Sequence, residues 1–129
     1  MARRLITDLT PEMQILIAQW DVKMKALNID YIITCTLRSQ SEQEALYAQG
    51  RTTTGPVVTW TLLSKHLPQP PSQKSKAFDF CIMNSGKCDW TMFLKNSWNM
   101  AVQIGKQLGM SQVVNSEGKI MEFAHLQII

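Results

Sequence analysis

Apolar residues in the first thirty positions fall at Met13, Leu16, Ile17, Trp20, Met24 and Leu27, the three-and-four spacing of one helix face. Thr10-Pro11-Glu12 stands in front of them, supplying an N-cap hydroxyl, a proline at the first helical position and an acid in the first turn. Asn28 can close this helix. Tyr31-Ile32-Ile33-Thr34-Cys35-Thr36 is β-branched and aromatic, which predicts a strand. A short second helix follows between Arg38 and Gly50. Ser39 with Glu42, or Ser41 with Glu44, can form its capping box, and Gly50 suits its C-terminal end. From Arg51 to Gln73 the chain is rich in Thr, Pro, Gly and Ser, and Pro68, Pro70 and Pro71 forbid regular helix. A long irregular stretch of this kind is usually functional or disordered.

Between Lys76 and Met83 the residues Ala77, Asp79 and Cys81 alternate with Phe78, Phe80 and Ile82, which predicts a strand with Asp79 on one side. Asn84-Ser85-Gly86-Lys87 reads as a turn. Asp89 can cap a long helix to Leu108, with Gly109 at its end and Phe93, Leu94, Trp98, Ala101, Val102, Gly105 and Leu108 on its inner face. Two apolar pieces in Gln112–Ile129 flank Asn115-Ser116-Glu117-Gly118, the pattern of a hairpin. The order of elements predicts an α+β fold, a small antiparallel sheet with packed helices.

Composition narrows the function classes. With 129 residues, 45% hydrophobic and 18% charged, the chain fits one globular domain over 1–129 rather than a disordered or fibrous segment. Thirteen Lys and Arg against 10 Asp and Glu leave only +3. Arg3-Arg4 is the only basic cluster, so a nucleic-acid stripe is not expected, while an anionic partner is compatible. No apolar run approaches the roughly 18 residues of a membrane span. Asp8 interrupts the start before any signal-like segment, so synthesis in a reducing cytosol is expected. Cys35, Cys81 and Cys88 form no C-x-x-C pair, which argues for inert buried thiols rather than disulfides or a zinc knuckle. None occupies the electropositive helix start that activates a thiol. Trp20, Trp90 and Trp98 read as core, while Trp60 lies in the irregular stretch and could serve a ligand.

The chemistry-bearing residues are few. No G-x-S-x-G elbow, Walker A loop or G-x-G-x-x-G is present. Each of the two histidines, His66 and His125, reads alone as a surface or hydrogen-bonded side chain. Asp79 changes that, because a carboxylate inside an apolar strand needs a cation, a metal or several donors. Glu122 is a second carboxylate among apolar residues, three positions before His125. Two His, one Asp and a further Glu match a hydrolytic zinc site, with three ligands, an open position and a carboxylate to carry the proton. Residues 122 and 125 would oppose each other on a regular strand. Both can face one metal only if the strand is irregular around Phe123.

Longer motifs then appear. Thr36-Leu37-Arg38-Ser39, Glu42-Gln43, Leu46-Tyr47-Ala48-Gln49-Gly50-Arg51-Thr52, Gly55 and Val58-Thr59 resemble the opening half of the phage endolysins of the zinc D,D-carboxypeptidase/L-alanyl-D-glutamate endopeptidase (VanY-like) family. Ser64-Lys65-His66 with Ala77-Phe78-Asp79-Phe80 resembles its S-x-H and Ala-x-Asp signature, and Glu122-Phe123-Ala124-His125-Leu126-Gln127 its closing E-x-x-H. The resemblance runs from about Thr10 to Gln127, in order. It implies a zinc ion held by His66, Asp79 and His125, Glu122 as general base and acid, and Arg38 near the polarised carbonyl oxygen. The residue-level alternative for Arg38 is an ion pair with Glu42. Ser64 and Gln127 would support substrate binding. The implied protein is a monomeric peptidoglycan peptidase, made in a phage host's cytoplasm and reaching the wall once the membrane is opened. The implied bond is L-Ala-D-Glu; the alternatives are the terminal D-Ala-D-Ala bond, or an inactive zinc-stabilised wall-binding module. On this reading the chain is a catalytic unit without a targeting module.

The sequence also departs from the family pattern. His66 and Asp79 lie 13 apart rather than seven, with Leu67–Gln73 as a Pro-rich insertion and Ser75 where the short form has Gly. Gln112–Lys119 lacks the family's Trp and Gly cluster.

Overall fold

The computed structural model describes residues 3–59, 61–114 and 120–129, leaving aside the side chains of 114 and 120–122. Thr10 accepts a hydrogen bond from the Met13 N–H at 3.2 Å and opens helix α1, Pro11–Ala26. Met13, Ile17, Trp20 and Met24 are buried on the predicted face. Leu27 instead sits half exposed at the C-cap, where Asn28 turns the chain out through the left-handed region. Strand β1 (Tyr31–Cys35) follows, then helix α2 (Gln40–Ala48). Ser39 and Glu42 form the reciprocal capping box of α2, and Gly50, at φ 82°, carries the chain away from it. The first predicted capping pair is therefore the one used.

Strands β2 (Ala77–Asn84), β4 (Ser111–Val114) and β5 (Ile120–Gln127) join β1 in an antiparallel sheet of order β1-β2-β5-β4; the short β3 (Lys87–Cys88) folds back on β2. This is the α+β architecture expected. The residues between β4 and β5, 115–119, and Trp60 lie outside the described set.

β2 is the central strand, and alternation sends Phe78, Phe80 and Ile82 to one face. That face packs on helix α1 and on α3 (Lys95–Gln107). Trp20 lies with its ring centroid 5.2 Å from Phe78 and 5.3 Å from Phe80, and Phe80 is 5.6 Å from Trp98. The Trp20 indole N–H donates to Ala101 O at 2.8 Å, so one buried side chain fastens both helices. Asp79 belongs to the opposite face. The aromatic core thus leaves that second face for other uses.

The third helix begins five residues later than the sequence suggests. Asp89 does not cap it directly. Its carboxylate accepts from the N–H groups of Phe93 and Leu94 and from the Trp98 indole at 3.0, 2.7 and 3.1 Å. Met92 adopts φ 60° between them, a left-handed conformation that breaks helical continuity. The 90–94 segment is therefore a tied loop. Phe93 and Trp90, expected inside, are 79% and 63% exposed on it.

The Pro-rich insertion closes on itself. Gln69 and Lys74 pair, and Lys76 N–H donates to Lys65 O at 2.9 Å, so residue 65 is already beside the start of β2. The extra residues bulge outward and leave the path from His66 to Asp79 short.

α3 crosses β5 at Gly105. A Cβ there would lie 2.7 Å from the Leu126 Cδ1, and Leu126 is fully buried, so its side chain would have to shift within the core. Gly105→Ala is expected to destabilise the fold by about 1–3 kcal/mol through overpacking, read as a lower midpoint in chemical denaturation. An unchanged or raised midpoint would show that the helix lies farther from the sheet.

Candidate metal centre and cleft

Register places the site residues side by side. Cys35 of β1 pairs with Asp79 of β2, and Asp79 pairs with His125 of β5. Directly paired residues present side chains on the same face, so the second face of the sheet carries a row of thiol, carboxylate and imidazole. His66 enters from the irregular segment through a tight turn, in which Ser64 Oγ accepts from His66 N–H at 3.1 Å and Ser64 O accepts from Leu67 N–H. Arg38 N–H donates to His66 O at 2.9 Å and ties that turn to the end of β1.

Three atoms meet. His66 Nε2 and His125 Nδ1 each lie 3.0 Å from Asp79 Oδ1 and 3.2 Å from one another. The outer nitrogens are both engaged: His66 Nδ1 lies 2.7 Å from Thr36 O, and His125 Nε2 lies 2.8 Å from Gln127 Oε1. A carbonyl oxygen only accepts, so each outer nitrogen carries the hydrogen. In a neutral imidazole the inner nitrogen is then a bare lone pair. Two imidazole lone pairs and a carboxylate oxygen cannot face one another at 3 Å without a positive charge between them.

A metal ion fits this demand. Tetrahedral zinc–ligand bonds of about 2.0–2.1 Å put neighbouring ligand atoms about 3.3 Å apart, close to the observed triangle. Outer hydrogen bonds to a carbonyl and an amide are also what fixes ligating histidines. Cys35, His66 and Asp79 form a second, overlapping group that could hold a metal ion. The Cys35 Sγ, however, lies 3.6 Å from His66 Nδ1, the nitrogen already committed to Thr36. The triangle with His125 is the tighter set.

Without a metal, a proton can supply the charge. Burial works to lower the His66 pKa, but the Asp79 charge and hydrogen bond, with Cys35 adding to them, push it up to about 10. Burial alone would raise Asp79. The His66 charge and hydrogen bonds from both histidines instead hold it far below the usual carboxylate range.

Arg38 stands beside this cluster rather than over Glu42, which closes the α2 capping box instead. The Arg38 Nη1 donates to Gln43 Oε1 at 2.7 Å, and Nη2 lies 3.6 Å from Asp79 Oδ2 and 3.5 Å from Cys35 Sγ. Gln43, the buried residue of α2, donates in turn to Thr61 O at 2.6 Å and Thr59 Oγ1 at 3.3 Å. Among the described residues, Arg38 Nε is buried with no hydrogen-bond partner. Cys35 is the free, buried thiol expected, but strand pairing places it beside Asp79, Arg38 and His66, which the sequence did not reveal.

Asp79, His125 and Arg38 open into a cleft of about 360 Å³. Leu46 and Val58 contribute to its lining, as do Phe123 and Trp90. Trp90 is thus a cleft residue rather than the core residue the sequence suggested. Glu122 belongs to β5, with its side chain outside the described residues. Its backbone lies beyond an irregularity: Ser111 pairs with Gln127 and Val113 with Glu122, so four β5 residues oppose Gln112 alone. The Gln112 amide donates to Phe123 O at 2.9 Å across this bulge. The strand is irregular around Phe123, the condition the 122/125 spacing requires.

A proton and a metal ion would compete for this one place, with pH dependences of opposite sign. In metal-free protein the raised His66 pKa contributes stability that is complete below about pH 6.5 and lost as pH rises through about 10. Metal affinity rises over the same interval. Calorimetric titration with a divalent transition-metal salt at pH 7, in buffers of different ionisation enthalpy, is expected to show about one proton released per ion bound. Binding without proton release would contradict a protonated resting cluster.

No family model matches the chain, and no curated protein matches it in sequence. Among solved structures, the crystal structure of the Serratia marcescens L-Ala D-Glu endopeptidase ChiX matches with a TM-score of 0.64. The match covers 96% of this chain and 83% of that one, at 17% identity. The likeness is one of fold.

Proposed function

We propose that this chain is a zinc-dependent peptidoglycan peptidase that hydrolyses the L-Ala-D-Glu bond of the stem peptide. The observation that carries the reading is the triangle of His66 Nε2, Asp79 Oδ1 and His125 Nδ1 beside an open cleft. The fold shared with an L-Ala D-Glu endopeptidase supports the substrate class, as does the motif resemblance. His66, Asp79 and His125 hold the ion on this reading. Bound zinc would polarise the scissile carbonyl and acidify water.

The remaining work belongs to the chain's own side chains. Glu122 accepts the proton of the attacking water and delivers it to the leaving amine, so no proton is left over when the bond breaks. Arg38, held by Gln43 with its Nε unpartnered among the described residues, faces the oxygen on which charge develops. Such a fixed cation is worth about 3 kcal/mol in comparable sites. Ser64 and Gln127 act one step back, the first shaping the His66 turn and the second orienting the His125 ring. The further reading, that this is a phage or prophage lysis enzyme made in the host cytoplasm, is supported by the motif resemblance alone.

Digestion of purified peptidoglycan, with and without chelator and with fragments identified by mass, tests the reading. New L-Ala C-termini and D-Glu N-termini, lost on chelation, are expected. Free D-alanine would identify a carboxypeptidase, and no release an inactive wall-binding module. Glu122→Gln is expected to keep the metal and the fold while lysis falls about 10²–10⁴-fold. Undiminished lysis by that variant would remove Glu122 from the mechanism.

A further inference from the structure

Two large aromatic side chains stand in solvent on one tied segment, and one of them, Trp90, lines the cleft. Trp90 is 63% exposed and Phe93 79%. The segment carrying them is not loose. Asp89, 4% exposed, accepts three hydrogen bonds that close it, and Met92 is held at φ 60° within it. One side of the Trp90 ring is supported by Trp98, with centroids 6.2 Å apart and planes inclined by 38°. Trp98 in turn meets Phe123 edge-on at 6.1 Å, two residues before His125. An aromatic series thus runs from Phe123 in the cleft lining through Trp98 to Trp90 and ends on an open indole. Val58, 44% exposed, also lines the cleft.

An indole so displayed leaves most of its apolar surface in water and touches the core on one side only, at Trp98. Its chemistry suits a flat, largely apolar partner with polar edges, which the C–H face of a pyranose provides. Resting on the peptidase reading above, the placement decides which part of the substrate arrives there. The scissile bond must reach Asp79 and His125 inside the cleft. The glycan is a polymer and must stay outside. In the stem peptide, L-Ala is joined through a lactyl group to the muramic acid sugar, so that sugar is the ring nearest the scissile bond. We propose that Trp90 is the platform for this N-acetylmuramoyl ring, making the site selective for stem peptides still attached to glycan.

The test compares a stem peptide with the same peptide carrying N-acetylmuramic acid at its N-terminus, both with the zinc-loaded full chain. The wild-type protein is expected to prefer the sugar-bearing substrate in kcat/KM. Trp90→Ala is expected to reduce that preference about tenfold, the effect of one well-packed aromatic contact, and Trp90→Phe to retain most of it. A preference ratio within about twofold of wild type in Trp90→Ala would overturn the sugar platform. A second measurement is independent of turnover. On a Glu122→Gln background, calorimetry with the muramoyl peptide should show binding that Trp90→Ala weakens about tenfold, with circular dichroism confirming the fold. Equal affinity would overturn the platform even if the chain proved not to be a peptidase. Failure of the wild-type protein to cleave either substrate, with sugar-dependent binding intact, would overturn the peptidase reading and leave the platform standing.

Discussion

Three electron pairs point at one another on the open face of the sheet, and that repulsion is the constraint around which the rest of the molecule is arranged. His66 Nε2, His125 Nδ1 and Asp79 Oδ1 approach within 3.0–3.2 Å, while Thr36 O and Gln127 Oε1 occupy the outer nitrogens. A positive charge must reside there. Burial raises the cost of leaving it out, since low dielectric strengthens repulsion and attraction alike. This is why the site holds a proton in the metal-free fold and is also a place where a metal can bind.

The supporting structure keeps that geometry by dividing the sheet's two faces. Phe78, Phe80 and Leu126 on one side pack with α1 and α3 into a core anchored by Trp20 and Trp98. The alternate residues Asp79 and His125 are thereby presented opposite, in register, on neighbouring strands. The third ligand candidate, His66, comes from outside this row, on the Ser64–Leu67 turn. Gln43 makes α2 part of the site by linking Arg38 to Thr59 and Thr61.

Much of this was legible in the sequence because it is local or periodic. The α1 stripe, the Ser39–Glu42 capping box and the alternation of β2 each follow from spacing alone, and so does the need for an irregular β5 between Glu122 and His125. Long-range accidents of packing were not legible. Asp89 looked like a helix cap because an acid before a helical pattern usually is one; its bonds to Phe93, Leu94 and the Trp98 indole instead hold a loop and push Trp90 into the cleft. Nothing local marks the surroundings of Cys35, a buried free thiol as expected, and only strand pairing brings it beside Arg38 and His66. The carbonyl of Thr36, which sets the His66 tautomer, has no sequence signature. Nor does the self-closing of the Pro-rich insertion, which explains how two adjacent side chains can lie thirteen positions apart.

X-ray absorption at the zinc edge of the metal-loaded protein tests the central claim most directly, because it reports the atoms around the ion without reference to activity. One zinc per chain, with only nitrogen and oxygen neighbours at about 2.0–2.1 Å, is the predicted result. A sulfur neighbour at about 2.3 Å would place Cys35 in the site. Either that, or the absence of stoichiometric metal, would contradict the His66–Asp79–His125 centre.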